Sequence, residues 1–319
     1  MKPFDELTRL GKVRRFRQLA KEALKAYGLA DADFKLARFA GNAVFLVIAS
    51  NVGHIKTDDG LYEKDRYLLR IHDRSEQPTD AIGLEMEWLA AIRRDTGLPV
   101  PEPVPTPEGK LLAQISIPGI PEERNCTLLR WVKGRFITSG IRPHHFRAQG
   151  RLMAQLHNHA AHWRPPKNLT KRRFDWIGLF RDDAGAGLPN SKAWPLLPHQ
   201  YREPFEIVAR KTKHVMDELG KSTDVYGLIH GDCGVDANVL FWRGEARAID
   251  FDGSGFGYYV YDLTLTLEHC WEEAAYPQYR GALLDGYAEF RVVPEEQLKH
   301  MNLFLATFYV YMSLWTAAL

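Results

Sequence analysis

The chain has 319 residues, 45% hydrophobic and 26% charged, with 42 basic and 40 acidic side chains giving a net charge of +2. That length exceeds what one core usually supports, and the apolar share is enough to fill two. The even charge balance excludes a chain built to coat nucleic acid. In chain order, residues 4–28 carry Leu7, Leu10, Leu19, Leu24 and Tyr27 among Arg and Lys, the pattern of an amphipathic helix. Its apolar side is modest and the chain runs on into a strand, so it is expected to pack on a sheet rather than a membrane. Residues 36–48 read as strand, tight turn at Gly41-Asn42, strand.

A third strand, Tyr67 to His72, alternates with Leu68, Arg70 and His72 on one face and Leu69 and Ile71 on the other. Residues 81–94 form a helix with the apolar stripe Leu84, Trp88, Ile92. Glu85 lies beside that stripe, whereas Glu87 leads to Ala90, Ala91 and Arg94. This spacing turns Glu85, rather than Glu87, toward the apolar side of the helix. The run Pro99-Val100-Pro101-Glu102-Pro103 ends the helix, and strands follow at residues 111–113 and 126–129.

Residues 150–157 open a second half as a helix with Leu152, Leu156 and His157 on one face, the histidine packed or capping rather than ligating. Charge is uneven here, 16 basic against 5 acidic side chains over residues 133–213 and 6 against 16 over residues 214–300. Lys171-Arg172-Arg173 reads as a solvated face, and Asp182-Asp183-Ala184-Gly185-Ala186-Gly187 as a mobile loop. Residues 303–319, uncharged and aromatic, fall short of the ~20 residues of a membrane span and are expected as a buried helix. That run ends without a polar stop, so either the chain is cut short there or the outer face of the helix meets a partner. Cys126, Cys233 and Cys270 lie far apart without metal-ligand spacing, and no signal peptide precedes the first helix, which points to a reducing cytoplasm. Nothing in the pattern speaks to oligomeric state.

The densest chemistry lies in His230-Gly231-Asp232-Cys233-Gly234-Val235-Asp236-Ala237-Asn238 and in Asp250-Phe251-Asp252. Apolar, β-prone residues flank both, at 226–229, 239–242 and 248–249, so the polar groups sit at strand ends where a sheet can aim them. Transfer of a phosphoryl group to a hydroxyl needs a carboxylate to take the proton and a hard divalent cation held by oxygen ligands. Asp232 serves as that base, with Asn238 and Asp250 as ligands. An Asx-rich turn would use some of the same residues; the two halves in this order, each beside a strand, favour phosphoryl transfer.

HGDCGVDANVLF followed by AIDFDGSGFGYYVYDL resembles the catalytic segment of the aminoglycoside phosphotransferase and choline kinase family, most closely the bacterial branch that includes homoserine kinase-like and stress-response kinase-like enzymes. The resemblance implies an α+β, protein-kinase-like fold of two lobes. An antiparallel-sheet lobe for nucleotide, with its leading helix, would span residues 1–132, and a mainly helical catalytic and substrate lobe residues 133–319. It implies ATP, with GTP not excluded, and Mg²⁺. It assigns Asp232 as base, Asn238 and Asp250 as metal ligands, and Asp262 as the support of the catalytic loop. The family sets its Asn five residues after the base, whereas that position here is Ala237. Either the loop bulges by one residue, which Gly234 makes inexpensive, or Asp236 takes the ligand role; Asn238 is favoured and Asp236 is the runner-up.

By the same resemblance Gly41 and Asn42 form the loop over the phosphates. Arg70, where most kinases have Lys, pairs with the α- and β-phosphates and with Glu85; Arg binds bidentately and is not interchangeable with Lys. Arg130, Trp131 and Val132, within the connection 128–134, are the adenine hinge. The expected reaction is phosphorylation of a small-molecule hydroxyl. A cationic acceptor such as an aminoglycoside or amino alcohol suits the acidic segment, which also carries Glu268, Glu272 and Glu273. Two alternatives are a Ser/Thr protein kinase of the stress-response type and a nucleotide-binding pseudokinase. Partners in the form of nucleic acid or membrane are not expected.

Overall fold

The computed structural model describes residues 2–49, 60–73, 77–167, 169, 172–181 and 190–318. Lys171 and the run 182–187 lie outside the described residues. The chain divides into two compact units, Met1–Lys133 and Gly134–Leu319.

In the first unit, helix α1 (Arg9–Ala26) starts where the Thr8 side chain accepts from the Gly11 N–H at 3.2 Å. It buries Phe16, Leu19, Ala20, Ala23 and Leu24 at helical spacing. Leu10, expected on that face, is 61% exposed; Phe16 fills the core instead. The helix covers a five-stranded antiparallel sheet of order β1-β2-β3-β5-β4: β1 (Asp33–Ala40), β2 (Asn42–Ile48), β3 (Tyr62–Ile71), β4 (Ala113–Ile115) and β5 (Arg124–Val132). Alternation selects Ala43, Phe45 and Val47 of β2, Leu69 and Ile71 of β3, and Cys126 and Leu128 of β5 for one core with α1. The Tyr27 hydroxyl, just past the helix, donates to Cys126 O at 2.8 Å and ties helix to sheet.

Helix α2 (Thr79–Thr96) buries Leu84, Glu85, Trp88 and Ile92. It ends at Gly97, left-handed at φ 70°, whose N–H donates to Arg93 O, so a glycine cap stops it before the proline run does. Two strand expectations are corrected. β4 lies two residues later than residues 111–113, and β5 runs through residues 130–132, which sequence reasoning had given to a connection. The proline-rich stretch explains the longer strand: Val104 N–H donates to Leu128 O at 2.8 Å and Arg130 N–H to Glu102 O at 2.9 Å, giving β5 partners that lie far off in sequence.

The second unit contains α3 (Pro143–His162), β6 (Arg173–Phe174), α4 (Trp176–Phe180), α5 (Asn190–Ala193), α6 (His199–Leu219), β7 (Tyr226–Ile229), β8 (Val239–Trp242), β9 (Glu245–Ala248), β10 (Gly255–Tyr258), α7 (Tyr259–Thr266), α8 (Tyr276–Ala288), α9 (Glu295–Leu298) and α10 (Met301–Ala318). β7 pairs with β10, which also pairs with β6, while β8 and β9 form a separate hairpin. The two strands that bound the 230–238 loop therefore enter different sheets. Helices α3 and α8 meet at two glycines: a Cβ on Gly150 would lie 2.1 Å from Leu283 O, and one on Gly286 2.0 Å from Arg147 O. α10 packs on α6 and α7 and buries Phe304, Val310 and Leu314. Among the described residues no helix is long and apolar enough to cross a membrane.

Candidate active site

The loop after β7 is held from below. Asp262, buried on α7, accepts from the His230 N–H at 3.0 Å and the Gly231 N–H at 2.8 Å. His157 Nε2 donates to the same carboxylate at 3.0 Å, and His157 Nδ1 accepts the Tyr287 hydroxyl at 2.9 Å. Burial lowers the His157 pKa and keeps the imidazole neutral. Burial alone would raise the Asp262 carboxyl, but hydrogen bonds from His157 and Gly231 hold it ionised, below its ordinary value. His157 is thus a packed histidine that supports a support.

Gly231 sits at φ 76°, and a Cβ there would come within 2.9 Å of Gly253 O. Only glycine allows that approach, which brings the 250–253 turn against the loop. Asp250 itself is left-handed at φ 63°, ψ 63°, a strained conformation for a residue with a side chain. Next to it the buried Phe251 ring lies against His230, tilted 52° with centroids 4.5 Å apart, and His230 Nε2 donates to Ile249 O at 3.0 Å. The two halves of the motif, separate in sequence, are thereby one structure.

Asp232 is brought together with Asn238 and Asp250. Asn238 Nδ2 donates to Asp232 Oδ2 and to Asp232 O, both at 2.9 Å, which leaves Asn238 Oδ1 as an acceptor. Loss of solvation raises the Asp232 carboxyl above its usual value, His230 and the Asn238 amide oppose that rise, and the charges of Asp250 and Asp252 add to it. Since Asp232 is open to solvent on one side, the repulsion among these carboxylates is the firmer cause. An amide oxygen and a carboxylate are donors that a hard divalent cation takes. Among the described residues no three His, Cys, Asp or Glu side chains form a metal cage, so an ion here would rest on Asn238 Oδ1, Asp250, phosphates and water. Asp236 points elsewhere, with Oδ1 3.4 Å from His269 Nε2.

In the first unit Gly41 turns the β1-β2 hairpin at φ 66°, with Ala40 opposite Asn42. The Asn42 side-chain oxygen accepts the Asp73 N–H at 2.8 Å, pinning the hairpin to the end of β3. Arg70 Nη1 lies 3.4 Å from Glu85 Oε1, with both side chains buried. Of residues 130–132, Arg130 is already committed: its N–H goes to Glu102 O, its guanidinium lies over the Tyr62 ring at 3.9 Å and pairs with Glu102 at 3.0 Å. Sequence reasoning gave no role to His230, His269, Asp252 or Gln149, whose Nε2 donates to the Cys233 carbonyl. The last carries no sequence signal at all, being one polar residue of a helix face.

A five-stranded antiparallel unit followed by a mainly helical unit is the fold of the kinase-like phosphotransferases. The sequence pattern of the phosphotransferase enzyme family (APH) matches residues 42–297, and the chain belongs to that family. No curated protein matches the chain. Solved structures share the fold at low identity. The microcompartment-associated aminopropanol kinase is 22% identical with a TM-score of 0.68, over 95% of this chain and 89% of its own. The amicoumacin kinase hAmiN, in complex with AMP-PNP, Ca²⁺ and Ami, is 19% identical with a TM-score of 0.71, over 94% and 86%. The GDP and kanamycin complex of APH(2")-IIia is 15% identical with a TM-score of 0.58, over 93% and 89%.

Proposed function

We propose that this chain transfers the γ-phosphoryl group of ATP to a hydroxyl of a small, positively charged molecule of the amino alcohol or aminoglycoside class. The observation that carries this is the Asn238 amide bonded to both the carboxylate and the carbonyl of Asp232, beside Asp250. Asp232 accepts the acceptor's hydroxyl proton as its oxygen bonds to the γ-phosphorus. The bond from that phosphorus to the bridging oxygen breaks, and ADP leaves with the electron pair. Asn238 orients the base. Bound Mg²⁺, held by Asn238 Oδ1 and Asp250, would neutralise phosphate charge. Arg70, fixed by Glu85, would bind the α- and β-phosphates, and Asn42 Nδ2 would reach the phosphate side of its hairpin. Trp131 and Val132 are the better hinge candidates, since the Arg130 N–H is taken.

A cationic acceptor is favoured by the acidic segment around the loop, where Glu272 and Glu273 are exposed, and by what the similar enzymes act on. The solved relatives with AMP-PNP and with GDP leave both nucleotides as candidates. The test is ADP release with Mg²⁺ and ATP or GTP across amino alcohols, aminoglycosides, homoserine and a general protein acceptor, with Asp232→Asn in parallel. Release stimulated by a cationic small molecule and lost in the variant is the expected result. Stimulation by the protein acceptor alone would make this a protein kinase, and nucleotide binding without turnover a binding protein.

A further inference from the structure

Helix α3 presents three side chains four residues apart to the catalytic segment, Gln149, Met153 and His157, on successive turns of one face. His157 donates to Asp262, which holds the N–H groups of His230 and Gly231 on the upstream side of Asp232. Met153 Sδ accepts from Thr266 Oγ1 at 2.9 Å, one helical turn beyond Asp262 on α7. Gln149, fully buried, donates from Nε2 to the carbonyl of Cys233, the residue after Asp232.

Cys233 and Val235 are both fully buried. The Cys233 carbonyl therefore depends on a protein donor, because a buried backbone acceptor needs one. The amide orientation is fixed by the same argument, since the reverse would set two acceptor oxygens against each other. One residue along, the missing side chain of Gly150 lets α3 approach the backbone of α8 closely, a Cβ there meeting Leu283 O at 2.1 Å.

We propose that Gln149 is a positioning residue for phosphoryl transfer: from α3 it fixes the backbone immediately after Asp232, as Asp262 on α7 fixes it immediately before, so that the base is clamped from both sides. This deepens the phosphotransferase reading and rests on it. Misplacement of a reacting group by ~1 Å can cost about a hundredfold in rate, so loss of one side of the clamp acts on turnover rather than on nucleotide affinity.

Gln149→Leu keeps the volume and removes the donor, and Gln149→Glu replaces it with a group that donates only when protonated. In Gln149→Leu we expect kcat to fall about tenfold to a hundredfold, with KM for ATP and acceptor changed less than about twofold. Gln149→Glu is expected to regain activity as pH is lowered relative to the parent profile, because only its protonated form can donate to the carbonyl. If Gln149→Leu does not fold, the pH profile of Gln149→Glu decides alone. Unchanged kcat in Gln149→Leu, an equal loss in nucleotide KM, or a Gln149→Glu profile parallel to the parent would each overturn the inference. Absence of transfer by the parent protein sinks the phosphotransferase reading itself, which is a separate outcome.

Discussion

Substituting Gly150 by Ala tests how closely the backbones of α3 and α8 are packed. A Cβ at Gly150 would stand 2.1 Å from Leu283 O and 2.8 Å from Tyr287 N, where ordinary contact begins at 3.4 Å. Both atoms are backbone, so no rotamer change relieves the clash and the helices must part by more than ~1 Å. Overpacking of this kind costs roughly 1–3 kcal/mol, and an immovable backbone puts it toward the upper end. Against that, alanine in a helix interior is favoured over glycine by about 1 kcal/mol. The net loss is about 2 kcal/mol, or a Tm lower by ~4–8 °C in a unit of this size. Gly286→Ala, with its Cβ 2.0 Å from Arg147 O, should behave alike. The double variant should lose less than the two single losses combined, because one separation relieves both clashes. Thermal unfolding followed by circular dichroism reads these values. A Gly150→Ala protein as stable as the parent, or more so as helix propensity alone would have it, would refute the reasoning.

Further outcomes follow from the titrating groups and the ligand set. With the Asp232 carboxyl raised and required as a base, kcat should fall as pH is lowered through a value above the ordinary carboxylate ~4; an acid limb at or below that value in the kcat profile counts against it. Asp262 has a depressed folded pKa, so its contribution to stability is present above its unfolded value of about 3.9 and fades as pH falls through the folded one. Denaturant midpoints of Asp262→Asn and parent should therefore differ at pH 7 and converge in acid, and a constant gap would sink the assignment. Asn238→Ala should raise the Mg²⁺ concentration for half-maximal rate at least about tenfold, as expected for a lost ligand or its orienting bond. Asp236→Asn should leave it within about twofold; the reverse order in a Mg²⁺ titration would transfer the ligand role to Asp236.

Local pattern carried much of the architecture because it is decided by neighbours in sequence. Alternation in β3 separated Leu69 and Ile71, which enter the core, from Arg70 and His72, and helical spacing turned Glu85 inward and Glu87 outward, as their burial in α2 has it. The motif residues and their strand-end settings were equally legible, since turn chemistry and apolar flanks are short-range. The residues of α1 were less so, because an amphipathic count cannot tell Leu10, outside, from Phe16, inside, until the sheet supplies a partner surface. What only the tertiary structure decided depends on contacts between distant segments. The length of β5 came from pairing with the proline-rich stretch and the end of α2 from its Gly97 cap. The departure of β7 and β8 into different sheets came from β10 and β9. The two-sided hold on Asp232 required α3 and α7 to converge on one loop, with Gln149 and Asp262 lying 84 and 31 residues from the backbone groups they bind. A side chain acquires such a role from the carbonyl or N–H that packing sets before it, and no spacing along the chain records that.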